Sequence, residues 1–174
     1  IEAAEANLDA SEEALRDALV TLQGEVARNY LDLRGQQLRI EIARRELETR
    51  RANVDIAESR FKAGLVSQLE LVRAQGEVAV AQSRIPALEN TVLATVHRLG
   101  VLLGREPTSL VPELSRPAAL PEIPDNLPAG LPSELLRQRP DIRKAERDVA
   151  AATARIGVST ADLFPRFSLT GSFG

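Results

Sequence analysis

The chain has 174 residues, of which 44% are hydrophobic but only 3% aromatic, with no Trp. Much of the apolar content is alanine, which suits close helix–helix packing better than a thick globular core. Its 22 basic and 25 acidic residues are interleaved, giving a formal net charge of -3 and no electrostatic case for nucleic acid. Zero cysteines exclude disulfides, thiolate zinc sites and a cysteine nucleophile.

From Glu2 to Lys62 there is no proline, and apolar residues recur at helical spacing. Leu15, Leu19, Leu22, Val26, Tyr30 and Leu33 step by threes and fours, and Leu33, Ile40, Leu47, Val54 and Phe61 then keep a seven-residue beat. The first half drifts and the second is a heptad, so any supercoil is weak and mixed. A second stripe, Leu31, Leu38, Ile42 and Ile56, flanks the first and predicts contact with helices on two sides. At 1.5 Å per residue this element reaches about 90 Å, too long for a small globule. Gly24 and Gly35 fall inside it and read as tolerated soft spots rather than close approaches.

The stretch from Arg60 to Glu70 carries a helix stop followed by a helix start. Gly64 suits the left-handed residue that closes a helix. Ser67 and Glu70 form S-x-x-E, a capping box in which each side chain takes an orphan N–H of the other's end. Two long helices joined this tightly run antiparallel, so the stretch is the tip of a helical hairpin and the natural place to meet a partner.

The return helix extends from about Ser67 to Leu103, with Leu71, Ala74, Val78, Ala81, Ile85, Leu88, Val92, Val96, Leu99 and Leu102 inward. Pro86 predicts a kink or a break within it. Prolines at 107, 112, 117, 121, 124, 128 and 132 then mark an extended segment with little regular structure. Its Leu110, Val111, Leu114, Leu120, Ile123 and Leu127 favour a strap laid against the helices over a solvated linker. A short helix over 133–138 precedes another from Asp141 to about Leu163, with Ile142, Ala145, Val149, Ala152 and Ile156 on one face. Residues 166–173 alternate polar and apolar, which predicts a strand.

No catalytic constellation emerges. His97 is the single histidine, with no second ligand and no placed nucleophile, and reads as a packing or surface residue. Pairs such as Glu41–Arg45 and Glu46–Arg50 read as surface ion pairs one turn apart. The chain begins at Ile1 and stops within the strand signal, so a fragment of a longer protein is expected.

The runs from Leu127 to Arg143 (LPAGLPSELLRQRPDIR) and from Ala161 to Gly171 (ADLFPRFSLTG) closely resemble the NodT/OprM branch of the TolC-type outer-membrane efflux channels. The tip, Arg60-Phe61 through Gly64-Leu65 to Arg73-Ala74-Gln75, resembles the periplasmic turn of that family's first repeat. The resemblance implies a homotrimer whose helices build a periplasmic tunnel and whose strands build one outer-membrane barrel. It divides the chain into a helical hairpin (1–105), a Pro-rich equatorial segment with a short helix (106–140), an ascending helix (141–164) and the start of a membrane β-strand (165–174). The fold class is therefore all-α, a long antiparallel hairpin with strap and further helix, plus that strand.

The same resemblance implies a passive export duct of a tripartite pump, without enzymatic activity, cofactor or metal. A periplasmic adaptor would join it to an inner-membrane RND-type transporter, with Ala63, Gly64, Leu65 and Ser67 as the adaptor contact. Glu70 falls at a position that helps close the aperture in similar channels. The remaining barrel, a lipid anchor and a second repeat would lie outside these residues, and this portion would be mainly periplasmic. The alternatives are a hairpin of the adaptor itself, disfavoured by the strap and helix that flank it, and a cytoplasmic coiled-coil scaffold.

Overall fold

A computed structural model describes residues 1–122, 132–165 and 171, and five helices run through them: α1 (Glu2–Lys62), α2 (Gln68–Leu102), α3 (Val111–Leu114), α4 (Pro132–Gln138) and α5 (Pro140–Ala161). α1 is one unbroken helix of 61 residues, with Glu2 and Glu5 in its first turn and Arg60 and Lys62 in its last. Those charges oppose the partial charges of the helix ends. The chain divides into two compact units, Gly24–Ile123 and Ile1–Gln23 with Pro124–Gly174.

In the first of these units the long hairpin is present. Gln36 bonds to Thr95, Arg44 to Glu89 and Arg50 to Glu77, so rising numbers on α1 meet falling numbers on α2 and the arms are antiparallel. Leu33, Ile40, Val92, Val96, Leu99 and Leu110 form the core, with Val26, Leu88, Val111 and Leu114 packed against it. The seven-residue beat is thus the inward face from Val26 to Val54, whereas Phe61 at its end is exposed. The second stripe faces outward: Leu31, Leu38, Ile42 and Ile56 are each about half exposed.

Pro86 neither breaks nor divides α2. It lies on the exposed side together with Gln82, whose carbonyl loses its proline-blocked partner where water can replace it. α2 ends instead at Gly104 (φ +65°), where Arg105 N–H reaches Gly100 O at 2.8 Å and Gly104 N–H reaches Val101 O at 3.0 Å. This paired 6→1 and 5→2 arrangement satisfies the last carbonyls of the helix.

The segment beyond is only partly extended, because one helical turn, α3, forms within it. Leu110 is 4% exposed on the hairpin core, whereas Leu120 is 56% exposed. Two side chains of α1 hold the strap by its backbone. Gln37 Nε2 donates to Leu114 O at 2.7 Å, and Arg34 Nη1 donates to Arg116 O at 2.8 Å. Ile123 and Leu127 lie outside the described residues, as do Arg166–Thr170 and Ser172–Gly174, where a strand was expected.

In the second unit α5 runs antiparallel to the start of α1: Arg155 meets Asn7, Arg147 meets Asp9 and Arg143 meets Glu13. The packed faces here differ from expectation. Ala6, Ala10, Glu13 and Ala151 are buried, while Leu15, Leu19, Val149 and Ile156 are exposed. Alanines let two backbones approach closely, which leaves the bulky apolar residues on the far side of each helix. Arg139 between α4 and α5 is extended (φ -69°, ψ 124°), as a residue before proline prefers, and Pro140 opens α5.

Candidate functional site

The turn between α1 and α2 is built by local backbone rules. Gly64 has φ +71°, a conformation in which any Cβ is strained, although nothing lies within 4 Å of where that Cβ would stand. Leu65 N–H bonds to Arg60 O at 2.9 Å and Gly64 N–H to Phe61 O at 2.9 Å, the same paired closure that ends α2. Ala63 N–H bonds to Ser59 O at 3.1 Å. The glycine is required by the backbone, not by crowding.

Ser67 then starts α2 from an extended conformation, its hydroxyl accepting from Glu70 N–H at 3.4 Å. That is half of the expected capping box. The Glu70 carboxylate does not reach back to Ser67 N–H and makes no hydrogen bond or ion pair among the described residues. Capping therefore rests on the Ser67 hydroxyl, and the Glu70 carboxylate stands in solvent.

Ala63, Gly64, Leu65 and Ser67 are all exposed, so the turn presents them together as one surface. Leu65 is 74% exposed, and Leu69 and Val72 follow it at helical spacing, also exposed. A glycine, an alanine and a leucine at an exposed turn whose residues 63–67 carry no charge suit apolar contact with another protein. Sequence reasoning passed over Leu69 and Val72, although their spacing from Leu65 was readable.

Elsewhere the described residues present open grooves and surface ion pairs. An open groove of about 470 Å³ lies between the two arms, bordered by Glu46, Arg50, Arg73, Gly76, Glu77 and Arg84. Arg50 bridges Glu46 and Glu77 there at 2.7 Å and 2.8 Å. The Glu41–Arg45 pair also forms. His97 is half-buried on α2. No group of three or more His, Cys, Asp or Glu side chains is arranged to hold a metal among the described residues. Among them, too, no helix is long and apolar enough to cross a membrane.

Comparison with known proteins gives this geometry a context. The family model described as outer membrane efflux protein matches residues 1–105 and 131–174. Nodulation protein T of Rhizobium leguminosarum bv. trifolii is 37% identical over 171 residues, covering 98% of this chain and 37% of that protein. The toluene efflux pump outer membrane protein TtgI of Pseudomonas putida is 37% identical over 165 residues, covering 95% of this chain and 35% of its own length. A solved structure of the outer-membrane channel OprN superposes with a TM-score of 0.86 at 41% identity, over 94% of this chain and 36% of that one. The outer membrane protein VceC of Vibrio cholerae, at 22% identity and a TM-score of 0.74, shares the fold. The chain thus spans little more than a third of the length of these relatives.

Proposed function

We propose that this chain, which belongs to the outer membrane efflux protein family, supplies part of the wall of an export duct whose tip docks a periplasmic adaptor. The observation that carries the reading is the exposed Gly64–Leu65 turn at the end of two long antiparallel helices. Outward apolar residues on α1 support the wall: Leu31, Leu38, Ile42 and Ile56 are left uncovered by the chain itself. Such stripes match neighbouring helices of a homotrimer, because isolated exposed leucines are ordinary whereas a helical row of them marks an interface.

In this reading the protein lies in the outer membrane, carried there by a barrel and a lipid anchor, with these helices on the periplasmic side. The adaptor links it to an inner-membrane RND-type transporter, and solutes cross by diffusion through water, without catalysis or cofactor. TtgI, OprN and VceC are named as outer-membrane proteins, which favours a duct over an adaptor hairpin. Ala63, Gly64, Leu65 and Ser67 form the docking contact, and the free carboxylate of Glu70 contributes to closing the aperture.

The test is Gly64→Asp in the full-length protein, with Gly64→Asn as the control that tolerates the left-handed turn without adding charge. The expected result is loss of site-specific crosslinking to the adaptor in Gly64→Asp, with normal membrane insertion, and retention in Gly64→Asn. Normal crosslinking in Gly64→Asp overturns the docking assignment.

A further inference from the structure

The two arms of the hairpin are joined very differently along their length. Near the strap the core contains the three fully buried large side chains, Leu33 at 0%, Val96 at 0% and Leu99 at 2% exposure. Towards the turn only Leu47 and Ala81 are buried, and Val54, Ala57, Leu71, Ala74 and Val78 are half-buried. The charged link across that half, Arg50–Glu77 at 2.8 Å, is open to water and worth little.

At the thick end the strap adds polar attachment of another kind. Arg34 and Gln37 are buried, yet Arg34 faces no carboxylate among the described residues. Its guanidinium is held by neutral groups: Arg116 O, Gln37 Oε1 at 2.8 Å, Tyr30 Oη at 3.0 Å and the Tyr30 ring 4.8 Å away. Its Nε has no partner among the described residues. Buried donors of this sort tolerate only a strap whose carbonyls stand in register, since a slipped strap leaves a charge dry and unpaired. Gly100 adds a steric constraint, with Pro107 Cα only 3.0 Å from the position a Cβ would take.

We propose that residues 105–116 are a clamp, keyed in register by Arg34 and Gln37, that pins the core end of the hairpin so that α1 and α2 part from the turn end first. Arg34 and Gln37 are positioning residues here: they act through the strap and not on any transported solute. The inference concerns the hairpin alone and stands whether or not the tip docks an adaptor.

Native-state hydrogen exchange of the full-length protein tests it, because local opening is read residue by residue. In the wild type, amides of 92–99 should exchange at least about 10-fold more slowly than those of 50–57 and 74–81. In Arg34→Met/Gln37→Leu, the amides of Leu114 and Ser115 should speed up by about 10-fold or more, and 92–99 should fall to the level of 74–81 while 50–57 stays unchanged. Gln37→Leu alone, which leaves the guanidinium in place, should give the same pattern at smaller amplitude. Uniform protection along the wild-type arms overturns the proposal. So does a variant in which the strap loosens but the gradient between the two ends persists.

Discussion

Replacing Gly100 by alanine sets two opposite effects against each other. Alanine is favoured over glycine in a helix interior by about 1 kcal/mol, and Gly100 lies inside α2. At this position, however, the added Cβ would stand 3.0 Å from Pro107 Cα, 3.1 Å from Glu106 O and 3.1 Å from Pro107 O. All three are backbone atoms of the strap, which cannot rotate aside. The strap is also fixed a few residues on by Leu110 and by the bonds to Leu114 O and Arg116 O. Overpacking of this kind costs about 1–3 kcal/mol, so the clash outweighs the propensity gain and the net is about 1 kcal/mol destabilising. Gly35→Ala is the matched control, because nothing lies within 4 Å of its Cβ position. It should stabilise by about 0.5–1 kcal/mol. Thermal unfolding of the 174-residue chain by far-UV circular dichroism should show Gly100→Ala melting about 3 °C lower and Gly35→Ala about 2 °C higher than wild type. If both variants melt higher, the strap yields easily and the steric argument is wrong.

Two other outcomes follow from the same geometry. Glu70→Ala leaves the Ser67 hydroxyl cap intact, so helicity should be unchanged while single-channel conductance of the full-length protein rises; unchanged conductance removes Glu70 from the aperture. Asp141 accepts from Arg139 at 3.0 Å and 2.6 Å, and that hydrogen-bonded pair holds its carboxyl below the ordinary value, helped by Ile142 N–H. A depressed carboxyl stabilises the folded form above its unfolded pKa, and that contribution is lost as pH falls through the lower folded value. The Ile142 amide resonance should accordingly titrate with a midpoint below that of an unperturbed aspartate, and a midpoint at or above it would contradict the pairing.

The hairpin was legible because its signals are local and agree with one another. A seven-residue beat on α1, alternating threes and fours on α2, and Gly64 followed by Ser67 each point to the same turn. The faces of the first part of α1 and of α5 were not legible. There the larger residues, Leu15, Leu19, Val149 and Ile156, define the apparent apolar stripe, but the contact is made by Ala6, Ala10 and Ala151. Hydrophobic periodicity finds a stripe without saying which neighbour covers it, and close backbone approach selects small residues. The effect of Pro86 depended on whether Gln82's carbonyl meets water, which is a tertiary property. The Arg34–Gln37 attachment was missed although a clue was present. Gln37 sits four residues after Leu33 and three before Ile40, a polar residue at an inward position, and such residues have a specific acceptor to meet.

The spacing between the strap's attachment and the glycine turn fixes how far the rod projects. From Gln37 to Lys62 the helix rises about 40 Å, and beyond Ile40 no hydrogen bond ties it to the strap among the described residues. Length can therefore change there by whole seven-residue units added to both arms at once, leaving each terminus of the rod untouched. A gain of seven in a single arm would instead throw every cross-strut out of step, so relatives of different reach should differ by paired insertions.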